Sequence, residues 1–264
     1  MDLLQALILG IVQGLTEFLP VSSSGHIELG KAIFGMGDEE NLTFSIIVHF
    51  ATVLSTIVVF RKDIVELLKG WLKFSYNDET KFLVLILLSM IPVGLIGVLF
   101  KDEVESLFAN NTLLVGCMLC VTGTLLLVTH WAKDAQKEIT PQRAFIVGIA
   151  QAVAVLPGIS RSGSTIATGL LLGIDKAKIA RFSFLMVIPP ILGATLLEVK
   201  DLVEAPSTQT LQTGALAMGF SGAFFSGWAA CKGMIEIVKR GKITWFSAYC
   251  FLVGIIAIIV ALYN

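Results

Sequence analysis

Two stretches of this sequence interrupt long apolar segments with proline, serine and glycine. The first is Gln13-Gly-Leu-Thr-Glu17-Phe-Leu-Pro-Val-Ser-Ser-Ser-Gly-His26, and the second is Leu156-Pro-Gly-Ile-Ser-Arg-Ser-Gly-Ser164. In each stretch the proline ends one helix, and the serines and glycine that follow can cap and begin another. Irregular backbone at membrane depth is tolerated only where protein or a wet cavity surrounds it. In a membrane protein, this pattern predicts two re-entrant helical hairpins.

The whole chain is too apolar for a soluble domain. Of its 264 residues, 55% are hydrophobic and only 15% are charged. Six stretches approach or exceed the roughly 17 residues that a helix needs to cross hydrocarbon. We predict an all-α polytopic membrane protein of about ten helices, six of them full spans. The predicted spans are 44–60, 82–100, 113–129, 182–197, 211–230 and 245–262.

The two interrupted stretches repeat one another at a constant offset. The matched residues are Gly10, Gln13, Ser22, Ser24 and Gly25 with Gly148, Gln151, Ser160, Ser162 and Gly163, and the same offset pairs Phe44-Ser45 with Phe182-Ser183. Such a match indicates an internal duplication. We expect one membrane domain over 1–264, with halves of about 1–137 and 138–264, each a hairpin followed by three spans. An odd number of crossings inverts the second half, which predicts an inverted repeat.

Basic residues divide the loops into two groups. Lysine and arginine are concentrated in 61–81, 133–143 and 232–242, whereas 101–111 and 198–210 hold one lysine each and several acids. The positive-inside rule places the first group in the cytoplasm. The hairpins then enter from opposite sides and meet near mid-membrane, where inverted-repeat proteins bind their substrates. A net charge of −1 gives no basic surface for nucleic acid, so the expected partners are membrane lipids and a small molecule.

The start of the second helix in each hairpin is suited to an anion. Free backbone N–H groups and the positive end of the helix dipole lie there. The first hairpin contributes Ser22, Ser23, Ser24 and Gly25, and the second contributes Ser160, Arg161, Ser162 and Gly163. Helix capping alone would explain a serine, but it does not explain Arg161 in an apolar segment. The two ends together favour a phosphate, or a diphosphate.

Two further residues bring acid–base or metal chemistry. Glu17 follows Gln13 by one helical turn on the same face. It can bind a divalent cation such as Mg²⁺ or Ca²⁺, act as a base, or pair with Arg161. His26 can transfer protons near neutral pH, or be a polar residue at a helix start. His49 and His130 are isolated, and we expect packing or interface roles for them.

The nucleophile remains open from spacing alone, because several hydroxyl groups are chemically able to attack. They belong to Ser22, Ser23, Ser24, Ser160, Ser162 and Thr165.

At its two motifs the sequence closely resembles the bacterial undecaprenyl-diphosphate phosphatases linked to bacitracin resistance. The likeness covers essentially the whole chain, including Phe182-Ser-Phe-Leu and the Pro189 region. It implies hydrolysis of undecaprenyl diphosphate to undecaprenyl phosphate and inorganic phosphate, which recycles the lipid carrier of cell-wall synthesis. It also implies divalent-metal dependence, a place in the bacterial cytoplasmic membrane with the site reached from the outer face, and competition with bacitracin, which sequesters the substrate.

The resemblance assigns roles to particular residues. Its acidic motif falls on Gln13 and Glu17, its serine and histidine on Ser23 and His26, and its phosphate-binding arginine on Arg161. Relatives often have glutamate where this chain has Gln13, which indicates a supporting role for that position. Carriers share the inverted-repeat architecture, so a transporter or flippase of polyprenyl phosphate is the alternative function. The sequence does not assign an oligomeric state.

Overall fold

The computed structural model describes residues 1–34, 41–107, 111–133, 135–204 and 213–263. These residues form thirteen α-helices and one short 3-10 turn at Thr129–Trp131. The helices are α1 (Leu3–Phe18), α2 (Ser23–Phe34), α3 (Asn41–Val59), α4 (Arg61–Trp71), α5 (Asp78–Leu99), α6 (Lys101–Ser106), α7 (Thr112–Val128), α8 (Pro141–Val153), α9 (Arg161–Leu171), α10 (Lys176–Met186), α11 (Ile188–Glu204), α12 (Thr213–Lys239) and α13 (Trp245–Tyr263).

Long apolar helices confirm an all-α polytopic membrane protein. In the described part of the chain, three helical segments are long and apolar enough to cross a bilayer: Asp78–Leu99, Thr112–Trp131 and Trp245–Tyr263. A fourth crossing results if α3 and α4, which meet at a bend of 74°, form one span. The outer faces of these helices expose large aliphatic side chains such as Leu87 and Ile256, as expected of surfaces that contact lipid.

One predicted span is divided in two. The stretch 182–197 was expected to be a single helix, but α10 ends at Met186 and α11 begins at Ile188. The following residues, Pro189 and Pro190, have no backbone N–H to donate to the preceding turn. Prolines are tolerated in the first turn of a helix, where α11 holds them. The break therefore lies directly before the two prolines.

Both predicted hairpins are helix pairs with a short polar break between them. In the first, Ser22 has φ of +69° and its Oγ accepts a hydrogen bond from the N–H of Gly25 at 3.2 Å. In the second, Ser160 caps α9, and its Oγ accepts from the N–H of Gly163 at 3.0 Å. Each serine satisfies an otherwise unpaired donor at the start of a helix. This confirms the predicted capping at both breaks.

Glycines bring the first helix of each hairpin against a long helix from the other half of the chain. A Cβ at Gly10 would overlap the backbone of Gly219 in α12, and a Cβ at Gly148 would overlap the Ser89 carbonyl in α5. Gly94 and Gly97 do not pack in this way, because nothing lies within 4 Å of a Cβ added to either. Both of these glycines face open space instead.

The basic loops lie at one end of the helix bundle. Residues of the 3-10 turn and of 132–133 share a small depression with Ile174, Lys176 and residues 241–244. Two ion pairs join α10 to other parts of the chain. Arg181 Nε lies 2.6 Å from Asp63 Oδ1, and Lys178 pairs with Glu138. Loops that are far apart in sequence are therefore joined by ion pairs and contacts. They form one polar end of the protein.

Candidate active site

The two hairpin tips pack directly against each other. A Cβ on Gly163 would lie 3.2 Å from Pro20 Cβ, and the Ser162 hydroxyl donates to the Leu19 carbonyl at 3.2 Å. Thr122 of α7 supports the second tip, because its hydroxyl donates to the Gly158 carbonyl at 3.2 Å and accepts from the Ser160 N–H at 3.0 Å. The start of α2 and the start of α9 are thereby held side by side.

Glu17 is the centre of the polar contacts between the tips. Its Oε2 accepts from Gln13 Nε2 at 2.9 Å and from the Ser23 hydroxyl at 2.6 Å, and its Oε1 pairs with Arg161 Nη2. The Glu17 side chain is only 6% exposed. A buried carboxylate needs such partners, since an isolated charge away from water is very unfavourable. The arrangement joins an acid and a hydroxyl from the first hairpin with an arginine from the second.

A cavity of about 560 Å³ opens beside this cluster. Its polar wall includes Glu17, Ser23 and Arg161, together with Ser24 and Ser160. An apolar part of the lining comes from α5, α6, Val187 and the following helix α11. It is made of Met90, Val93, Gly94, Gly97, Val98, Val104, Val187, Pro190, Ile191 and Gly193. A cavity with one polar and one apolar wall is suited to the head of an amphiphile.

The polar residues that line the cavity but were not predicted as site residues include His49 and Gln151. His49, for which packing was expected, lines the cavity together with Glu17. Its Nδ1 lies 2.8 Å from the Ser45 carbonyl, so Nδ1–H donates there and Nε2 is the nitrogen left for another partner. Gln151 lines the cavity from α8. The match of Gln151 with Gln13 in the internal repeat was the available signal for it.

His26 lies behind the first tip. Its Nδ1 lies 2.8 Å from the Ser22 carbonyl, and its Nε2 lies 2.8 Å from the Tyr249 hydroxyl of α13. The two rings are nearly parallel, with centroids 5.6 Å apart. Both ring nitrogens therefore have a protein partner. His26 holds the turn that carries Ser23, and it does not line the cavity.

The remaining predicted site residues support the tips from behind. Gln13 is fully buried and bonds Glu17, while the Thr165 hydroxyl donates to the Arg161 carbonyl at 3.0 Å and lies 2.6 Å from the Ser183 hydroxyl. None of the following predicted binding residues is among those that line the cavity: Gln13, Ser22, Gly25, Ser162, Gly163 and Thr165.

The oxygen atoms around Glu17 fit a hard cation. Within the described ranges, no cluster of three or more His, Cys, Asp or Glu side chains could hold a metal ion. Mg²⁺, however, commonly binds through one or two protein carboxylates plus waters and substrate phosphates. Gln13 Oε1 is buried one helical turn from Glu17 and has no hydrogen-bond partner among the described residues. A carboxylate with a free amide oxygen beside it is a donor set of the kind Mg²⁺ and Ca²⁺ prefer.

Comparison with known proteins agrees with this geometry. A family described as "Bacitracin resistance protein BacA" matches residues 6–256. The chain belongs to the BacA family. Two similar proteins, both named undecaprenyl-diphosphatase, come from Bacteroides fragilis, 55% identical over 99% of both chains, and Parabacteroides distasonis, 56% identical over 98% of both. A more distant one of the same name, from Methanobrevibacter smithii, is 39% identical and covers 97% of this chain and 96% of its own.

The family match covers almost the whole chain, because residues 6–256 include both hairpin tips and all or most of every long helix. The similarity to these relatives also extends over nearly the full length of both chains, so it is not limited to the residues of the site. The resemblance found at the two motifs is therefore confirmed over the length of the sequence.

Proposed function

We propose that this BacA-family protein is an integral membrane phosphatase that hydrolyses undecaprenyl diphosphate to undecaprenyl phosphate and inorganic phosphate. The observation that carries the proposal is the contact of Glu17 with both Ser23 and Arg161 at the wall of an amphiphilic cavity. The relatives of the same length carry that enzyme name. The reaction recycles the lipid carrier of peptidoglycan and other envelope polymers.

The cavity supports a lipid diphosphate as substrate. Its volume of about 560 Å³ is within the usual range for a site that holds a drug-sized ligand. It accommodates the diphosphate and the first isoprene units, and the remainder of a long prenyl chain lies along the apolar faces of the protein in the bilayer. Bacitracin then acts on the same reaction by sequestering the substrate before it reaches the cavity.

Ser23 is positioned to attack the terminal phosphorus. Its hydroxyl donates to Glu17 Oε2 at 2.6 Å, so Glu17 takes the proton as the oxygen–phosphorus bond forms. The bond from that phosphorus to the bridging oxygen breaks, and undecaprenyl phosphate leaves with the electron pair. Water then attacks the phosphoserine, releasing inorganic phosphate and restoring the Ser23 hydroxyl. Arg161 stabilises the negative charge on the equatorial oxygens throughout.

The alternative role of Ser23 is to orient a water molecule that attacks directly. The same contact with Glu17 serves both routes, since either nucleophile gives its proton to the carboxylate. We favour attack by Ser23 because this residue lines the cavity at the start of α2, and the start of a helix is suited to binding an anion.

A divalent cation, Mg²⁺ or Ca²⁺, is proposed to bind at Glu17 and Gln13 Oε1 together with the substrate phosphates. When bound, it would neutralise charge on the diphosphate. Glu17 accepts three hydrogen bonds or ion-pair contacts from Gln13, Ser23 and Arg161. These contacts fix the carboxylate beside Gln13 Oε1, where the two groups would hold the cation.

The proposed role of His26 is to position the Ser22–Ser24 turn through the Ser22 carbonyl. The residue type of His26 suggested proton transfer to the leaving phosphate. His26 could act in this way only if that turn or Tyr249 rearranged, because its Nε2 is bonded to the Tyr249 hydroxyl. His49 lines the cavity directly, so it is the histidine we propose to contact the substrate.

The packing supports an inverted repeat of six spans. At the offset that matches Gly10 with Gly148, α12 corresponds to α5 and α13 to α7. Each matched glycine packs against the long helix of the opposite half, and α7 and α13 pack together with Gly116 close to Gly254. This exchange of equivalent contacts is expected of two related halves. We propose α3, α11 and α12 as full spans beside the three apolar helices.

The location of the cavity supports access from the outer face of the bacterial cytoplasmic membrane. The basic loops at one end of the bundle mark the cytoplasmic side by the positive-inside rule. The cavity is lined by the second half of α5, Met90–Val98, and by Val104 of α6, which lie away from that basic end. Substrate left on the outer leaflet would therefore reach the site directly.

Transport of polyprenyl phosphate is the second candidate, and the paired hairpins favour it because carriers share this architecture. Phosphate release by purified protein in detergent, where no transport can occur, tests the two. We expect hydrolysis of a polyprenyl diphosphate by the wild type and loss of hydrolysis in Ser23→Ala. Movement of lipid between vesicle leaflets by Ser23→Ala, with no phosphate release by the folded wild type with added Mg²⁺ or Ca²⁺, would support transport instead.

A further inference from the structure

Gln151 is a buried amide whose polar atoms have no hydrogen-bond partner among the residues that the structure describes. Its side chain lines the cavity and is only 2% exposed, and neither Nε2 nor Oε1 has a hydrogen bond. Arg161 Nη1, from the same wall, is also buried without a partner. Buried polar groups in native proteins are nearly always hydrogen-bonded, and an unsatisfied one is costly. These groups together therefore indicate a ligand-binding role.

Comparison with the matched residue in the first hairpin shows why Gln151 is unsatisfied. Gln13 Nε2 donates to Glu17, which follows it by four residues on α1. The residue four positions after Gln151 is Val155, an apolar side chain that also lines the cavity. Gln151 thus has the same place in its hairpin as Gln13, but no carboxylate one turn ahead to accept from its amide.

A second matched pair differs in the same way. Ser23 begins α2, and the residue that begins α9 at the matched position is Arg161. The first hairpin therefore carries an acid and a hydroxyl, whereas the second carries an amide and a guanidinium. Hydrogen-bond donors beside a positive charge are the groups that bind phosphate oxygens. The first hairpin therefore carries the groups that can react, and the second carries groups that can bind phosphate.

We propose that Gln151 is a substrate-binding residue that holds the diphosphate together with Arg161. Gln151 Nε2 and Arg161 Nη1 donate to non-bridging phosphate oxygens, while Arg161 Nη2 stays paired with Glu17. Gln151 Oε1 accepts from a protonated phosphate oxygen or a water molecule. This rests on the proposed phosphatase function and adds to it the residue that places the phosphate for attack from the opposite hairpin.

The test compares Gln151→Met with Gln13→Met, since methionine has a similar size but does not donate a hydrogen bond. Loss of a hydrogen bond to a charged group lowers binding by about 10- to 100-fold. For Gln151→Met we expect a rise of that order in KM for a polyprenyl diphosphate and in the Kd of inorganic pyrophosphate. For Gln13→Met we expect mainly a fall in kcat, because Glu17 loses a hydrogen bond.

Thermal unfolding separates binding from a structural role. Replacement of an unsatisfied buried amide by an apolar side chain of similar shape is close to neutral or stabilising. We therefore expect Gln151→Met to unfold at the wild-type temperature or above it, whereas a structural residue would lower that temperature. Gln151→Asn, which withdraws the amide by one methylene, is expected to weaken pyrophosphate binding in the same direction and serves if the methionine variant does not fold.

The possible outcomes are distinct. If the wild type hydrolyses substrate and both folded Gln151 variants bind pyrophosphate and substrate as the wild type does, the inference is overturned and the phosphatase stands. If the wild type hydrolyses nothing, the proposed function fails, and calorimetric titration with pyrophosphate still decides the role of Gln151. Weaker pyrophosphate binding by Gln151→Met supports the inference, and unchanged binding refutes it.

Discussion

The ion pair between Glu17 and Arg161 joins the two hairpins, and a double substitution measures its contribution. The Glu17 side chain is 6% exposed and that of Arg161 is 22% exposed, so water solvates neither charge well. Removal of one member of a buried pair leaves the other uncompensated, which destabilises a protein by about 3–5 kcal/mol. Partial exposure of Arg161 places Glu17→Gln near the lower end of that range. We expect Glu17→Gln alone to unfold at a clearly lower temperature than the wild type.

The double variant Glu17→Gln/Arg161→Gln removes both charges and should recover most of the lost stability. Activity is expected to behave differently. Loss of a general base reduces the rate by about 100-fold or more, and loss of the arginine removes stabilisation of the phosphoryl group. The double variant should therefore be folded and inactive.

Thermal unfolding in detergent and phosphate release from a polyprenyl diphosphate are the two assays. The matched control is Glu236→Gln, which removes one member of an exposed pair with Arg240 and should change stability little. The reasoning is refuted if Glu17→Gln is as stable as the wild type, if the double variant is no more stable than either single variant, or if Glu17→Gln keeps activity within a few fold of the wild type.

Three further predictions concern helix packing at Gly148, the cavity at Gly94, and His49. Gly148→Leu should lower stability by about 1–3 kcal/mol in thermal unfolding, because its side chain would overlap the backbone at Ser89, whereas Gly94→Ala, which meets open space, should not. Gly94→Phe should fold normally but raise KM for a long polyprenyl diphosphate severalfold with little change in the Kd of pyrophosphate, and an unchanged KM would place the prenyl chain elsewhere. His49→Leu should lower kcat/KM by about tenfold through loss of a phosphate contact, and activity equal to the wild type would exclude that contact.

The local sequence predicted the parts of the site that depend on helix breaks and on the spacing of residues along a helix. The proline and serine pattern predicted both hairpins, and the four-residue spacing of Gln13 and Glu17 predicted a contact that the structure confirms at 2.9 Å. The meeting of the tips followed from the repeat together with the charge bias of the loops. Pairing with Arg161 was one of three roles that the sequence left open for Glu17, and the structure shows that pair.

Other features depend on tertiary packing, which cannot be read from the sequence of a single segment. His49 is a single polar residue on an apolar helix, and only the neighbouring helices decide that its face meets the cavity. Gly94 and Gly97 lie in an apolar helical segment, as the close-packed Gly219 does, but they face open space. The break at Val187 could have been predicted from the two prolines that follow it.

The stereochemical course at the terminal phosphorus would show whether Ser23 is the nucleophile. In the proposed mechanism, Ser23 attacks the phosphorus that Arg161 holds, and water then displaces the serine. A single turnover of a substrate whose terminal phosphate is made chiral with sulfur and oxygen isotopes should release thiophosphate with net retention, because two inversions occur in sequence. Net inversion would show that water attacks directly and would contradict the role assigned to Ser23.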